Sequence, residues 1–137
     1  DSAKLLEALD RHAADAGRTL RALVQVNVSG ERAKSGLAPA AVPDVLALAD
    51  RLRNVRIVGL MTIPPLAEDP ETARPFFRKL RERRDAWAAE TGLELPELSM
   101  GMTHDLDVAV AEGATFVRVG TGIFGARARP AEGAEEA

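Results

Sequence analysis

The chain has no cysteine and no tyrosine, one tryptophan, three methionines and two histidines in 137 residues. Without cysteine there is neither a disulfide framework nor a thiolate metal site. The histidines, His12 and His104, stand in distant segments, so no imidazole metal site is expected. No apolar run approaches the roughly 18 residues of a membrane span, and no secretory leader pattern opens the sequence. A cytoplasmic setting without a membrane partner is the expectation. A net charge of −3 and a pI of about 5.4 speak against a broad nucleic-acid-binding surface. Lysine is scarce as well, with only Lys4, Lys34 and Lys79 among the 18 Lys and Arg residues. What is present, 46% hydrophobic and 28% charged residues, is the composition of one globular domain with a buried core.

Hydrophobic periodicity divides the chain into alternating helices and strands. A helix is expected over 1–16, capped by Ser2, with Leu5, Leu6, Leu9 and Ala13 as its apolar stripe. A strand follows over 20–28, apolar enough to be buried on both faces. A polar loop over 29–37 leads to a helix over 39–52 with Val42, Val45, Leu46 and Leu48 inward. A second strand over 55–63 ends at Pro64-Pro65. A long helix over 72–91 buries Phe76, Phe77, Leu80 and Trp87, and its run RKLRERRDAWAAE reads as a solvated face. Gly92 stops it. Beyond Gly125 the polar tail is expected to be disordered, which gives one domain over 1–127 and a tail over 128–137.

The most informative stretch is LSMGMTHDLDVAVAEGATFVRVGTGIFG, residues 98–125. It predicts a strand over 95–100, a turn at 101–103, a helix over 104–112 capped by Thr103, a strand over 114–119, and a turn at Gly120-Thr121-Gly122. Two adjacent strand ends are thus each followed by small and hydroxyl residues. Backbone N–H groups at such turns favour an anion, and the pattern reads as a phosphate cradle. Phosphate turns after the last two strands are typical of a (β/α)8 barrel, which takes about 250 residues and eight strands. This chain supplies about half of each. The expected fold class is therefore α/β, with parallel βα units forming the second half, about four strands, of a TIM-type (β/α)8 barrel.

The motifs VQVNVSGERAKSG, VRIVGLMTIPP, the Phe77–Leu80 spacing and ELSMGMTHDLDVAVAEGATFVRVGTGIFGAR carry a resemblance. From Leu23 to Arg127 the chain resembles the pyridoxal phosphate homeostasis proteins, a YggS/PROSC-type family related to the N-terminal barrel of alanine racemase. The resemblance implies a binding and homeostasis role for pyridoxal 5′-phosphate, a carrier or regulator rather than a catalyst. It puts Thr103 where a hydroxyl and N–H meet the cofactor phosphate, Gly120 and Thr121 in a second donor turn, and Arg118 opposite the pyridine nitrogen. Ser99 and Met102 line the same mouth. An Arg there keeps the ring nitrogen unprotonated, which suits carrying the cofactor better than carbanion chemistry. The family also holds the cofactor as a Schiff base on a lysine in a V-S-K-type motif, and this chain has no such motif. The resemblance thus implies a C-terminal fragment that binds the cofactor non-covalently at most.

Other readings of these residues stand beside those roles. Thr103 is also a simple helix cap, and Arg118 is also a candidate for an ion pair with Asp105 or Asp107. Lys34 reads as a solvated loop lysine, with the KSG match offering a place at the site mouth. His104 has the chemistry of a general acid or base but a surface position. The methionines, Met61, Met100 and Met102, read as core or pocket lining. An alanine-racemase-like enzyme is an alternative function, against which the lack of a tyrosine base counts. A sugar-phosphate-binding barrel is another, against which the lack of carboxylates at the strand ends counts. No catalytic residue and no metal ligand is assigned. A half barrel leaves strands 20–28 and 114–119 as open edges. These are expected to be covered by a missing N-terminal half or by a second copy, or else to make the chain poorly soluble.

Overall fold

The computed structural model describes residues 1–31 and 35–126. Lys34, Arg127 and the expected tail over 128–137 lie outside the described residues. Helix α1 (Ala3–Asp15) opens the chain, and the Ser2 hydroxyl caps it by accepting the Leu5 N–H at 3.2 Å. Strand β1 (Leu20–Gln25) leads through a loop to a 3-10 turn, Pro39–Ala41, and helix α2 (Val42–Leu46). A second 3-10 stretch, Ala47–Arg51, precedes β2 (Val55–Met61). A 3-10 turn at Pro70–Ala73 feeds α3 (Arg74–Thr91), which stops at Gly92 in the left-handed conformation. Then come β3 (Glu97–Met102), α4 (Leu106–Ala111), β4 (Phe116–Arg118) and the single-turn α5 (Thr121–Phe124).

The four described strands form one sheet in the order β1-β2-β3-β4, every pair parallel. This is the expected series of parallel βα units. The core lies between the sheet and the helices. Leu46, Leu60, Phe77, Leu80, Leu98 and Met100 are among its fully buried side chains. Phe77, Leu80 and Trp87 are the buried residues of α3. Thr62, past the end of β2, is fully buried because its hydroxyl donates to the Val26 carbonyl at 2.8 Å.

Several expectations need correction. Strand β1 is not buried on both faces: Leu20 and Arg21 are exposed, because β1 is a sheet edge with a strand on one side only. It ends at Gln25, and beyond it Val26 makes an isolated bridge to Leu37. On α1, Leu6 and Ala13 are buried, but Leu5 and Leu9 are 48% and 36% exposed on the side where the sheet stops. The helix expected over 39–52 is broken into three pieces, and Pro43, with no N–H for the bond a continuous helix needs, stands at the first break. The other edge, β4, is only three residues long and leaves Phe116 and Val117 exposed.

The start of β2 is fixed by a distant carboxylate. Asp10, on α1, accepts the backbone N–H groups of Arg53, Asn54 and Val55 on one oxygen, at 3.0, 2.6 and 2.9 Å. Three main-chain donors that would otherwise lack partners are thereby satisfied, and α1 is tied to the sheet. Asp10→Ala is expected to lower the unfolding free energy by about 1–3 kcal/mol, the cost of orphaning such donors. Urea denaturation at neutral pH measures it, and an unchanged midpoint would show that water replaces the carboxylate without loss.

Candidate functional site

The carboxyl ends of β3 and β4 build the site. Relative to β4, β3 carries one residue too many: Ser99 pairs with Phe116 and Met102 with Arg118. This bulge, of the kind that re-aims a strand end, contains Gly101 at φ +94°. A side chain at Gly101 would stand 2.5 Å from the Ala109 Cβ, so glycine lets α4 approach the strand end closely. The strand therefore runs to Met102, two residues beyond its expected end, and absorbs most of the expected turn.

Thr103 is not the cap of α4. Asp105 holds that position, and no side chain caps the helix. The Thr103 hydroxyl instead accepts the Gly122 N–H at 3.1 Å, which ties the turn after β3 to the turn after β4. A hydroxyl has one proton to donate and two lone pairs. With Gly122 on a lone pair, the Thr103 proton is left to be donated elsewhere. A Cβ on Gly122 would lie 2.8 Å from the Thr103 Cγ2 and 3.1 Å from the Val119 Cγ1, so the two turns meet without room for a side chain.

Of the other expected site residues, Met102 is the register partner of Arg118, and Ser99 is buried within β3. Gly120 and Thr121 are exposed and open α5, a helical turn where a bare turn was expected. The ion pair of Arg118 with Asp105 or Asp107 does not form. Asp105 takes the Met102 N–H instead. Arg118 has its Nε and Nη2 atoms buried and without a hydrogen-bond partner among the described residues. These two nitrogens form one edge of the guanidinium, a pair of donors seeking an acceptor. His104 is exposed, as expected.

A buried carboxylate at the far end of α4 went unforeseen. Glu112, at the end of α4, is 4% exposed and meets Arg74, Arg78 and Arg81 of α3 at 3.1, 3.2 and 3.0 Å. Part of the supposed solvated face of α3 is thus a clamp on α4. The three arginines fall at helical spacing on one face, a signal that a buried acid could answer. Hydrogen bonding by Arg78, then by Arg74, holds the Glu112 carboxyl below the usual carboxylate range, while its burial works in the opposite direction. Among the described residues no group of three or more His, Cys, Asp or Glu is placed to hold a metal ion, and no helix is long and apolar enough to cross a membrane.

A parallel sheet whose last two strand ends carry the candidate turns defines an α/β class, and the family of the alanine racemase N-terminal domain matches residues 1–128. The chain is 52% identical over 105 residues to a pyridoxal phosphate homeostasis protein of Aquifex aeolicus, covering 77% of this chain and 46% of that one. It is 39% identical over 127 residues to the pyridoxal phosphate homeostasis protein of Vibrio alginolyticus, covering 93% and 54%. Among solved structures, PipY of Synechococcus elongatus with PLP bound superposes with a TM-score of 0.83 at 39% identity, over 91% of this chain and 58% of that one. Diaminopimelate decarboxylase of Helicobacter pylori, at 14% identity and a TM-score of 0.70, shares the fold alone. The chain belongs to the pyridoxal phosphate homeostasis protein family. It spans about half the length of the curated relatives it matches, and its four described parallel strands are part of a TIM-type barrel fold.

Two measurements check this geometry. Gly122→Ala is expected to lose about 1–3 kcal/mol of stability through overpacking between the turns. Gly120→Ala, with open space around the added methyl, should stay within about 0.5 kcal/mol of the parent; equal urea midpoints for the two variants would refute the contact. For Glu112, the folded value lies below the unfolded one of about 4.3, so its contribution is complete above that pH and is lost as pH falls through the lower folded value. Glu112→Gln should therefore cost about 1–2 kcal/mol at pH 7 and progressively less as pH drops below about 4. A cost independent of pH between 3 and 7 would contradict a charged clamp.

Proposed function

We propose that this chain carries one side of a pyridoxal 5′-phosphate site and serves in cofactor homeostasis, holding the cofactor rather than turning over a substrate with it. The observation that carries the reading is the unpartnered edge of Arg118, two buried donors on the strand beside the Thr103–Gly122 contact. A guanidinium has donors only and does not give up its proton. It therefore suits an acceptor such as an unprotonated pyridine nitrogen. The Thr103 hydroxyl, its lone pair occupied by Gly122, is left to donate to a phosphate oxygen, a charge-assisted bond of the stronger kind. Gly120 and Thr121 add donors from the second turn, and Ser99 and Met102 line the same mouth.

Chemically, bound pyridoxal phosphate supplies an aldehyde that condenses with amines and a ring that withdraws electrons. An Arg at the ring nitrogen keeps that ring a weak electron sink, in keeping with a carrier. PipY, a structural relative, binds PLP, and the same cofactor is in the printed name of the curated relatives. The family resemblance puts the covalent anchor on a lysine motif that has no match at Lys4, Lys34 or Lys79, so the hold read for these 137 residues is non-covalent. Residues 1–127 act as one partial barrel unit, and the setting is cytoplasmic.

The test is a calorimetric titration of the 137-residue chain with pyridoxal phosphate and, separately, with pyridoxal, which lacks the phosphate. The phosphorylated ligand should bind more tightly. Thr103→Val should weaken it about tenfold, as for loss of a hydrogen bond to a charged group, and Thr103→Ser should restore it. Arg118→Leu should weaken both ligands. A chain that binds the two ligands equally, or neither, sinks the reading.

A further inference from the structure

Asp105 occupies the cap position of α4 without capping it. Its side chain turns backwards: Oδ1 accepts the Met102 N–H at 2.7 Å, while the Asp105 N–H donates to the Met102 carbonyl at 3.2 Å. Both backbone polar groups of Met102 are thus held by one residue three positions ahead. The residue is 7% exposed, and no ion pair compensates its carboxylate among the described residues. A buried carboxylate is costly unless well hydrogen-bonded, so its place here asks for a reason beyond ending a strand.

The reciprocal pair closes a ring around Thr103 and His104, the two residues between. One end of that ring is Met102, the last residue of β3 and the register partner of Arg118. The other end is the start of α4, seated against the strand by the Gly101–Ala109 approach and clamped at its far end by Glu112. Both ends of the ring are pinned, and Thr103 between them has its hydroxyl at the Gly122 N–H.

We propose that Asp105 is a positioning residue for ligand phosphate: by fixing Met102 it presents the Thr103 hydroxyl, which makes the contact. The inference rests on the reading of Thr103 as a phosphate donor, and it adds that the preference for a phosphorylated ligand is set by a residue that does not touch it. An acceptor oxygen at the right reach is what matters. Asp105→Asn keeps that oxygen, Asp105→Glu keeps the charge but moves the oxygen by one methylene, and Asp105→Ala removes it.

The experiment measures affinities of the 137-residue chain for pyridoxal phosphate and for pyridoxal, and follows hydrogen exchange of the Gly122 amide by NMR. Asp105→Ala and Asp105→Glu should each lose about tenfold in phosphate preference, the size expected of one charge-assisted hydrogen bond, with pyridoxal affinity unchanged. Asp105→Asn should restore the preference to within about threefold. Thr103→Val combined with Asp105→Ala should be no weaker than Thr103→Val alone, since both act through one hydroxyl. Full phosphate preference in Asp105→Ala, or an equal loss for both ligands, overturns the role. If Asp105→Ala does not fold, Asp105→Glu decides by the same criterion. If the parent chain shows no phosphate preference, the functional reading fails by itself. The Gly122 amide then still tests the positioning, because exchange as slow in Asp105→Glu as in the parent overturns it and faster exchange supports it.

Discussion

The hydrogen bond from the Gly122 N–H to the Thr103 hydroxyl joins two turns nineteen positions apart in sequence. Everything around it serves to let it form. The extra residue in β3 shifts its register against β4 just before the strand ends, and Gly101 accepts a backbone conformation that other residues resist. Glycine at 122 removes the side chain that would hold the turns apart. A single neutral hydrogen bond contributes only about 1 kcal/mol. Its importance is geometric, since it fixes which way a hydroxyl points and leaves one proton available.

Three buried or half-buried carboxylates hold the frame, each by a different means. Asp10 gathers three main-chain donors at the entrance to β2, far from the site. Asp105 gathers one at the exit of β3. Glu112 meets three arginines and locks α4 against α3. None is compensated in the same way, yet each has an oxygen that accepts from a donor, while the Glu112 Oε2 is buried with only the Arg81 ion pair beside it. The arginines on Glu112 remain between 31% and 53% exposed. They keep part of their hydration, so the clamp is worth less than a fully buried pair of the same geometry.

The order of elements and the parallel sheet were legible in the sequence because they depend on period alone. The stripe of Phe77, Leu80 and Trp87 reads at helical spacing, and the strands read as apolar runs between glycines and prolines. Arg118 was legible as an anomaly, an arginine on an apolar strand. What it would pair with was not, since of the two acids weighed for it Asp105 is taken by Met102. Thr103 was misread as a cap because cap rules count local spacing, whereas its partner lies on the next turn of the fold. Glu112 was invisible for the same reason: its arginines come 31 to 38 positions earlier.

The same contrast bears on how the site is supported. β3 is flanked on both sides and lies mostly buried, so the turn carrying Thr103 rests on an internal strand of the sheet. β4 is three residues long, paired on one side, and carries exposed Phe116 and Val117. Arg118 is therefore presented from the softer edge, with two of its nitrogens buried all the same. Local opening is easiest where few buried contacts would be lost. The Thr103 hydroxyl is held from a strand flanked on both sides and the Arg118 guanidinium from a short edge strand. A ligand that spans both would gain most by ordering β4, because the bond between Gly122 and Thr103 already couples the two turns through which that order would spread.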